Sequence, residues 1–380
     1  TLEEGNVKIT VERDALVDGL NWVSRSLSTR PIQPVLLGIR MKAAQGSLHL
    51  AAYDQELSGE ASVVAQIDSP GEALVSGRLF TEVIRSLPHK PVTLHLDGAR
   101  FAIECGSSRF ALPTMNVDEY PNLPELPQSS GDVSGSLFAE AIAQVAVAAG
   151  RDDSLPVLTG VHIEIEDDRV TLAATDRYRL AVREFNWNAQ KPNSSANALV
   201  RGRTLAEVAK SLSHSEKVTI ALAPANSDKR LVGFEIENRS TTSRMLDGAF
   251  PPYRHLLPSE ASSVATIEVA ALMEAVRRVA VVVDKTSSLK LTFSDNSLKL
   301  EARSTEEAQA TEEIPLEFEG DEISIAFNPT FLTDGLTAVG KPFVRIAFTA
   351  SNKPAVLSGK SAADGVVDES YRYLLMPMRY

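Results

Sequence analysis

"PVLLGIRMKAAQGSLHLAAYD" spans residues 34–54, and "PVLTGVHIEIEDDRVTLAATD" spans residues 156–176. Both begin Pro-Val-Leu, place glycine fifth, alternate apolar and polar residues, and close on Ala-Ala-x-Asp, at an offset of 122. Self-similarity at a fixed period marks a chain assembled from repeated structural units. "EALVSGRLFTEVIRSL" at 72–87 repeats as "NALVRGRTLAEVAKSL" at 197–212, and the Pro-rich "EYPNLPELP" at 119–127 as "AFPPYRHLLP" at 249–258. "SSLKLTFSDNSLKLEARST" at 287–305 and "ISIAFNPTFLTDGLTAVG" at 323–340 continue the series in a more divergent form. Three units then fill the 380 residues, as domains 1–128, 129–260 and 261–380. That agrees with the size at which single hydrophobic cores stop growing.

The order of elements repeats as well. An amphipathic helix opens a unit, with Leu16, Leu20, Val23 and Leu27 on one face in the first and Leu272, Val276, Val279 and Val283 in the third. Alternating strands such as "SLHLAAYD" and "RVTLAATD" follow, then a short strand and a second helix. The pattern predicts an α+β fold in which two helices per unit pack on antiparallel sheets.

The charge is unevenly placed. With 38 Lys and Arg against 50 Asp and Glu, the net charge of −12 argues against a phosphate-rich partner, unless the basic residues are gathered on one face. In the second helix of the central unit, Leu205, Val208, Ala209 and Leu212 share one side, and Arg203, Lys210 and His214 lie opposite. Arg78 and Arg85 hold the aligned positions in the first unit, while Thr330 and Thr337 hold them in the third. Arg25, Arg277 and Arg278 also point away from their apolar stripes. One such face reads as solvated surface, but its recurrence in register raises the weight of a functional reading.

Catalytic and cofactor signatures are missing. The chain has no phosphate-cradling G-x-x-x-x-G-K-[ST], no G-x-G-x-x-G, no H-E-x-x-H and no G-x-S-x-G. The six histidines show no metal-ligand spacing, and the single Cys105 leaves no internal disulfide or thiolate zinc site. Asp176 in "ATDRYR" reads as a strand-end turn residue, because Asp54 stands in the same place in the first unit. No apolar run approaches the roughly 20 residues that span a bilayer. The opening "TLEEGNVKIT" lacks the features of a signal peptide. The expectation is a cytoplasmic protein that is not an enzyme, with no cofactor, no metal and no membrane partner.

These residues together resemble the bacterial DNA polymerase III beta subunit, the sliding clamp family, from end to end. The most specific pieces are "SRF" at 108–110, "ATDRYRLAV" at 174–182, "FPPYRHLLP" at 250–258, "FNPTF" at 327–331 and "YLLMPMR" at 373–379. The resemblance implies a head-to-tail homodimer, a ring of six domains with helices around the hole and sheets outside. It implies a processivity factor that encircles double-stranded DNA without reading its sequence. Arg25, Arg30, Arg78, Arg85, Arg151, Arg203, Lys210 and Arg277 would then face DNA. Phosphate contacts carry no sequence information, as sliding requires.

The same resemblance implies a pocket for short linear motifs of the Q-L-x-L-F type. These would come from the DNA polymerase III alpha subunit, the clamp loader, other polymerases and repair factors. The matching positions are Leu158, Thr175, Arg177, Tyr178, Arg179, Leu180, Pro251, His255, Leu256, Asn328, Phe331, Leu374, Leu375, Met376, Pro377, Met378 and Arg379. The dimer interface would use Phe110 and Leu112 against Val281, Val282, Glu306 and Glu307. His255, Arg177 and Tyr380 depart from the residues most often found in the family. A repeat-built enzyme would need paired titratable groups, which the sequence lacks. The other alternative is a clamp-like paralogue or scaffold that does not serve the main replicase.

Overall fold

The computed structural model describes residues 7–191, 195–223, 228–284, 287–305 and 307–380. Within these, six helices alternate with strands: α1 Arg13–Val23, α2 Gly77–Ser86, α3 Gly135–Ala146, α4 Gly202–Leu212, α5 Val269–Val279 and α6 Pro329–Val339. The strand pairings with a described register are all antiparallel, and the fold is α+β, with two helices in each repeat.

Packing divides the chain differently from repetition. One compact unit runs to Gly135 and adds His214–Met245, and the other comprises Ser136–Ser213 and Leu246–Tyr380. The reason is strand pairing across repeats. In the first unit the long strand Leu57–Ser69 pairs with Arg239–Arg244, Gly59 lying opposite Thr241, and extends the sheet into the strands of the central repeat. Its far end also meets Lys8–Val11, which pairs in turn with Val92–Asp97. Leu16, Leu20 and Val23 of α1 and Phe80 and Ile84 of α2 are buried beneath this sheet, and the Phe80 ring stands edge-on to Phe101 at 5.8 Å.

In the second unit a nine-stranded sheet joins the central and last repeats. Arg179–Asn186 pairs with the final strand, Val367–Leu375, with Arg179 opposite Leu375 and Leu180 opposite Leu374. The last strand is therefore an interior strand, flanked on its other side by Ala355–Lys360. α6 lies against it at a close approach. A Cβ at Gly335 would stand 2.5 Å from the ring of Tyr373, so only glycine fits.

Two helices stop earlier than the apolar spacing predicts. α1 and α5 end at Val23 and Val279, and short 3₁₀ turns, Ser24–Ser26 and Ala280–Val282, follow them. Leu27 and Val283 donate their amides to Ser24 and Ala280 in these tighter turns, rather than continuing the α-helical stripe. His214 likewise lies beyond the end of α4.

Candidate functional site: an apolar cavity beside the last strand

The site begins with a turn. Between strands Arg169–Thr175 and Arg179–Asn186, Asp176 Oδ1 accepts the amides of Tyr178 at 3.0 Å and Arg179 at 3.1 Å. The Thr175 hydroxyl donates to the Arg179 carbonyl at 2.7 Å. This clasp holds Arg177 at φ +80°, a left-handed conformation that side chains rarely adopt. The first repeat builds the same turn: Asp54 accepts from Glu56 at 2.9 Å and from Leu57 at 2.6 Å, with Gln55 at φ +77°. Asp176 is thus a turn residue, and its Oδ2 is also engaged by Arg179 Nε at 3.0 Å.

Beside the turn is a cavity of about 470 Å³, lined by Ser154–Leu158, Thr175, Arg177, Leu180, Ala249, Pro251–Tyr253 and Leu256. Its floor continues into a buried cluster in which Leu180, Val182 and Tyr253 pack against Leu374 and Val356. Six of the positions expected in a peptide pocket line this space: Leu158, Thr175, Arg177, Leu180, Pro251 and Leu256.

The others occupy neighbouring places. The Tyr178 and Phe331 rings stack at 6.2 Å, and Asn328 caps α6 by accepting the Phe331 amide at 3.1 Å. The tail is stitched alongside. Met376 donates to the Tyr178 carbonyl at 2.9 Å, Met378 to Ala326 at 2.7 Å, and the Arg379 carbonyl accepts from Ser288 at 3.0 Å. Met376 and Met378 keep exposed side chains, Pro377 is half-buried and Leu375 is fully buried. His255 is exposed on a 3₁₀ turn and is not among the lining residues.

Arg179 points inward. Its side chain is 8% exposed and binds Asp176 at 3.0 Å and Asp334 at 2.6 Å, with the guanidinium 4.2 Å from the centre of the Phe331 ring. Burial alone would lower its pKa, but Tyr373, Asp334 and Asp176 override that and raise it. Tyr373, raised chiefly by burial, donates its hydroxyl to the Phe331 carbonyl at 2.7 Å. Arg179 is therefore built into the frame behind the cavity wall.

Sequence reasoning missed the segment Ser154–Val157 and also Ala249, Pro252 and Tyr253. The signal was present, since "PVLTG" and "FPPY" belong to the repeated blocks. Alignment also explains why this cavity is open. The 122-residue offset sets Tyr53 where Thr175 stands. In the first repeat, Tyr53 fills the corresponding place in a buried cluster with Val35, Leu36, Leu74 and Tyr120.

All eight predicted DNA-facing residues are exposed. In the first unit Arg78 pairs with Glu82 at 3.1 Å, Arg85 donates to Asn21 at 2.9 Å, and Arg25 lies over the Trp22 ring. In the second unit Arg151, Arg201 and Arg203 surround a cavity of about 310 Å³, with Asp153 paired to Arg201 at 3.0 Å. Lys210 follows on α4, and Arg277 lies on α5.

The predicted interface residues divide. Phe110 is 38% exposed and Val281 82%, whereas Leu112 is buried at 5% and Val282 is half-buried. Glu307 is exposed, and Glu306 lies outside the described residues. Two of the open strand edges lie at or near these residues. Ser108–Met115 pairs with Arg100–Cys105 but meets Gly71–Ser76 only at Met115 and Thr114. Gln309–Pro315 pairs only with Ser297–Arg303. No described helix is long and apolar enough to cross a membrane, and no described group of His, Cys, Asp and Glu is placed to hold a metal.

Three family models cover nearly the whole chain: the DNA polymerase III beta subunit N-terminal domain at 7–124, its central domain at 132–252 and its C-terminal domain at 254–379. The beta sliding clamp of Streptomyces coelicolor is 51% identical over 373 residues, covering 98% of this chain and 99% of that protein. The beta sliding clamp homolog GriR of Streptomyces muensis is 40% identical over 374 residues, covering 98% of this chain and all of that protein. A Pseudomonas aeruginosa sliding clamp bound to griselimycin superimposes with a TM-score of 0.91 at 26% identity, covering 99% of this chain and 100% of that one. Repeats, fold and relatives agree along the full length, and the chain belongs to the DNA polymerase III beta subunit family of sliding clamps.

Proposed function

We propose that two copies of this chain join head to tail into a ring around duplex DNA, in the cytoplasm, and serve as the processivity factor of the replicase. The polymerase III alpha subunit, the clamp loader, other polymerases and repair factors would be held through short motifs seated in the cavity beside the last strand. The observation that carries this reading is that cavity, with its apolar wall and two adaptable methionines alongside, in a chain with the family's full length. A solved relative is described bound to griselimycin, which supports a ligand-binding role for the family. The open edges at Ser108–Pro113 and Gln309–Pro315 suit strand addition between copies, and a head-to-tail contact closes into a ring when its rotation permits. Exposed arginines and lysine on the helices would meet phosphates weakly, while topology supplies retention. The role needs positioning rather than bond chemistry, so no catalytic group or cofactor is assigned. The greater identity to the Streptomyces coelicolor clamp than to GriR favours the replicative role over that of a paralogue.

The test is retention on DNA circles. The protein is loaded onto nicked circular plasmid with a compatible clamp loader, washed in high salt, and the circle is then cut. Survival of the wash on circles followed by release on linearisation is expected. Loss from both forms, beside a known clamp that behaves normally, would overturn the ring.

A further inference from the structure

The cavity holds one feature that an apolar docking site does not need. Among the residues lining it, Arg177 is the only charged one, set among Leu155, Pro156, Leu180, Pro251 and Leu256. Its position is fixed by backbone rather than by side-chain contacts. The Asp176 clasp pins the turn, and the Arg177 amide donates to the Thr175 hydroxyl at 3.3 Å. The guanidinium makes no hydrogen bond or ion pair among the described residues. Asp152 is the acid that senses it: its carboxyl is held below the usual range chiefly by the hydroxyl and amide of Ser154, with a smaller pull from Arg177.

The left-handed conformation recurs at Gln55 in the first repeat, so the turn demands it and the side chain alone distinguishes the two sites. In the first repeat the neighbouring space is filled by Tyr53, and the residue on the turn is an uncharged glutamine. In the second the space is open and the residue on the turn is an arginine.

We infer that Arg177 is a specificity residue of this cavity, selecting peptides that carry a carboxylate side chain within or next to their apolar core. The inference rests on the proposal that the cavity receives partner peptides. Charge complementarity is its basis: five guanidinium donors in a fixed fork suit a carboxylate and repel a basic flank. Because Arg177 is exposed, the effect is one of choice between ligands rather than of large affinity.

The experiment uses the full chain and labelled peptides, acetylated and amidated so that only side chains carry charge. One pair is built on Gln-Leu-Asp-Leu-Phe and Gln-Leu-Asn-Leu-Phe. Further pairs move the Asp or Asn to the residue before or after the core. Fluorescence anisotropy is measured at low and high salt on the parent, Arg177→Gln and Arg177→Lys. The expected result is that at least one Asp peptide binds the parent about three- to fivefold tighter than its Asn partner, with the gap shrinking as salt screens it. Arg177→Gln should bring the Asp and Asn peptides to equal affinity, and Arg177→Lys should keep part of the gap. Equal binding of Asp and Asn at every position, or a preference that survives in Arg177→Gln, overturns the inference and leaves the pocket standing. If no peptide binds the parent, the pocket reading itself falls and takes the inference with it.

Discussion

Thr175→Tyr should close the cavity without unfolding the chain. The first repeat provides the precedent: Tyr53 occupies the aligned position, next to a turn clasped in the same way and with Gln55 at almost the same φ as Arg177. That backbone carries a buried tyrosine, whose hydroxyl donates to the Gln55 carbonyl at 3.1 Å. The substitution removes the hydrogen bond from the Thr175 hydroxyl to the Arg179 carbonyl at 2.7 Å and the one that hydroxyl accepts from the Arg177 amide at 3.3 Å. Each contributes about 1 kcal/mol net, and the newly buried ring offsets part of the loss. Stability should change by no more than about 2 kcal/mol. Peptide binding should suffer far more. The ring would take the space of one apolar anchor, and a buried Leu or Phe side chain contributes about 1.5–3 kcal/mol. That corresponds to a loss of about tenfold to 150-fold in affinity. Anisotropy of a labelled Gln-Leu-x-Leu-Phe peptide, with a thermal melt of the same preparation, measures both. A folded Thr175→Tyr protein that binds within twofold of the parent would refute the plug argument. A melt lowered by many degrees would refute the equivalence of the two turns.

Charge reversal at Arg78 and Arg203 should weaken DNA binding and shallow its salt dependence by about one unit of slope for each phosphate no longer neutralised. The dimer should be unaffected; an unchanged DNA titration would count against the basic-face reading. Phe110→Ala, on an open strand edge, should shift the assembly toward monomer, and light scattering that reads an unaltered mass would remove Phe110 from the interface. Deleting residues 376–380 breaks the Met376 and Met378 backbone bonds to Tyr178 and Ala326, and should lower peptide affinity by at least about tenfold while the dimer persists. Tyr120 gives a pH prediction. Burial pushes its phenol up to about 12, against the Tyr53 backbone and Arg40, which pull it down. A raised folded-state pKa means that the contribution is present below the unfolded value of about 10 and is lost as pH rises toward 12. Tyr120→Phe should be close to neutral at pH 7 and should soften the loss of stability above pH 10, as followed by urea melts across that range.

The repeats and helices were legible because their signals are local. Periodicity placed the apolar faces of α1, α4 and α5, and the aligned aspartates marked the turns at 54 and 176. What escaped was set by partners distant in sequence. Nothing in "YRYLLMPMRY" says that this strand pairs with Arg179–Asn186 of the preceding repeat, because antiparallel pairing across nearly two hundred residues leaves no local trace. Leu112 reads as an edge residue beside Phe110, and two residues apart on one strand they share a face, yet Leu112 is buried while Phe110 is exposed, a difference that strand periodicity does not encode. Two valines in a row at 281 and 282 mimic a continuing helix, but a 3₁₀ turn leaves Val281 in solvent. Arg179 was placed with the pocket by position alone, and only the geometry of Asp334 and Tyr373 shows which way it points.

Arg179 and Arg177 stand two residues apart, and the fold assigns them opposite roles. Arg179 ties three elements together: the Asp176 turn, α6 through Asp334, and the last strand through Tyr373. Removing Asp334 or Asp176 would leave a buried guanidinium with one carboxylate in place of two, which destabilises the frame. The wall cannot change there without the frame loosening. Arg177 is held by its backbone and bonded through no side-chain atom, so replacing it alters the charge at the mouth of the cavity and little else. A strained turn thus separates what must be constant from what is free to vary. The clasp and the inward arginine preserve the shape of the cavity. On the proposed reading, the outward residue between them would set which peptides the cavity prefers.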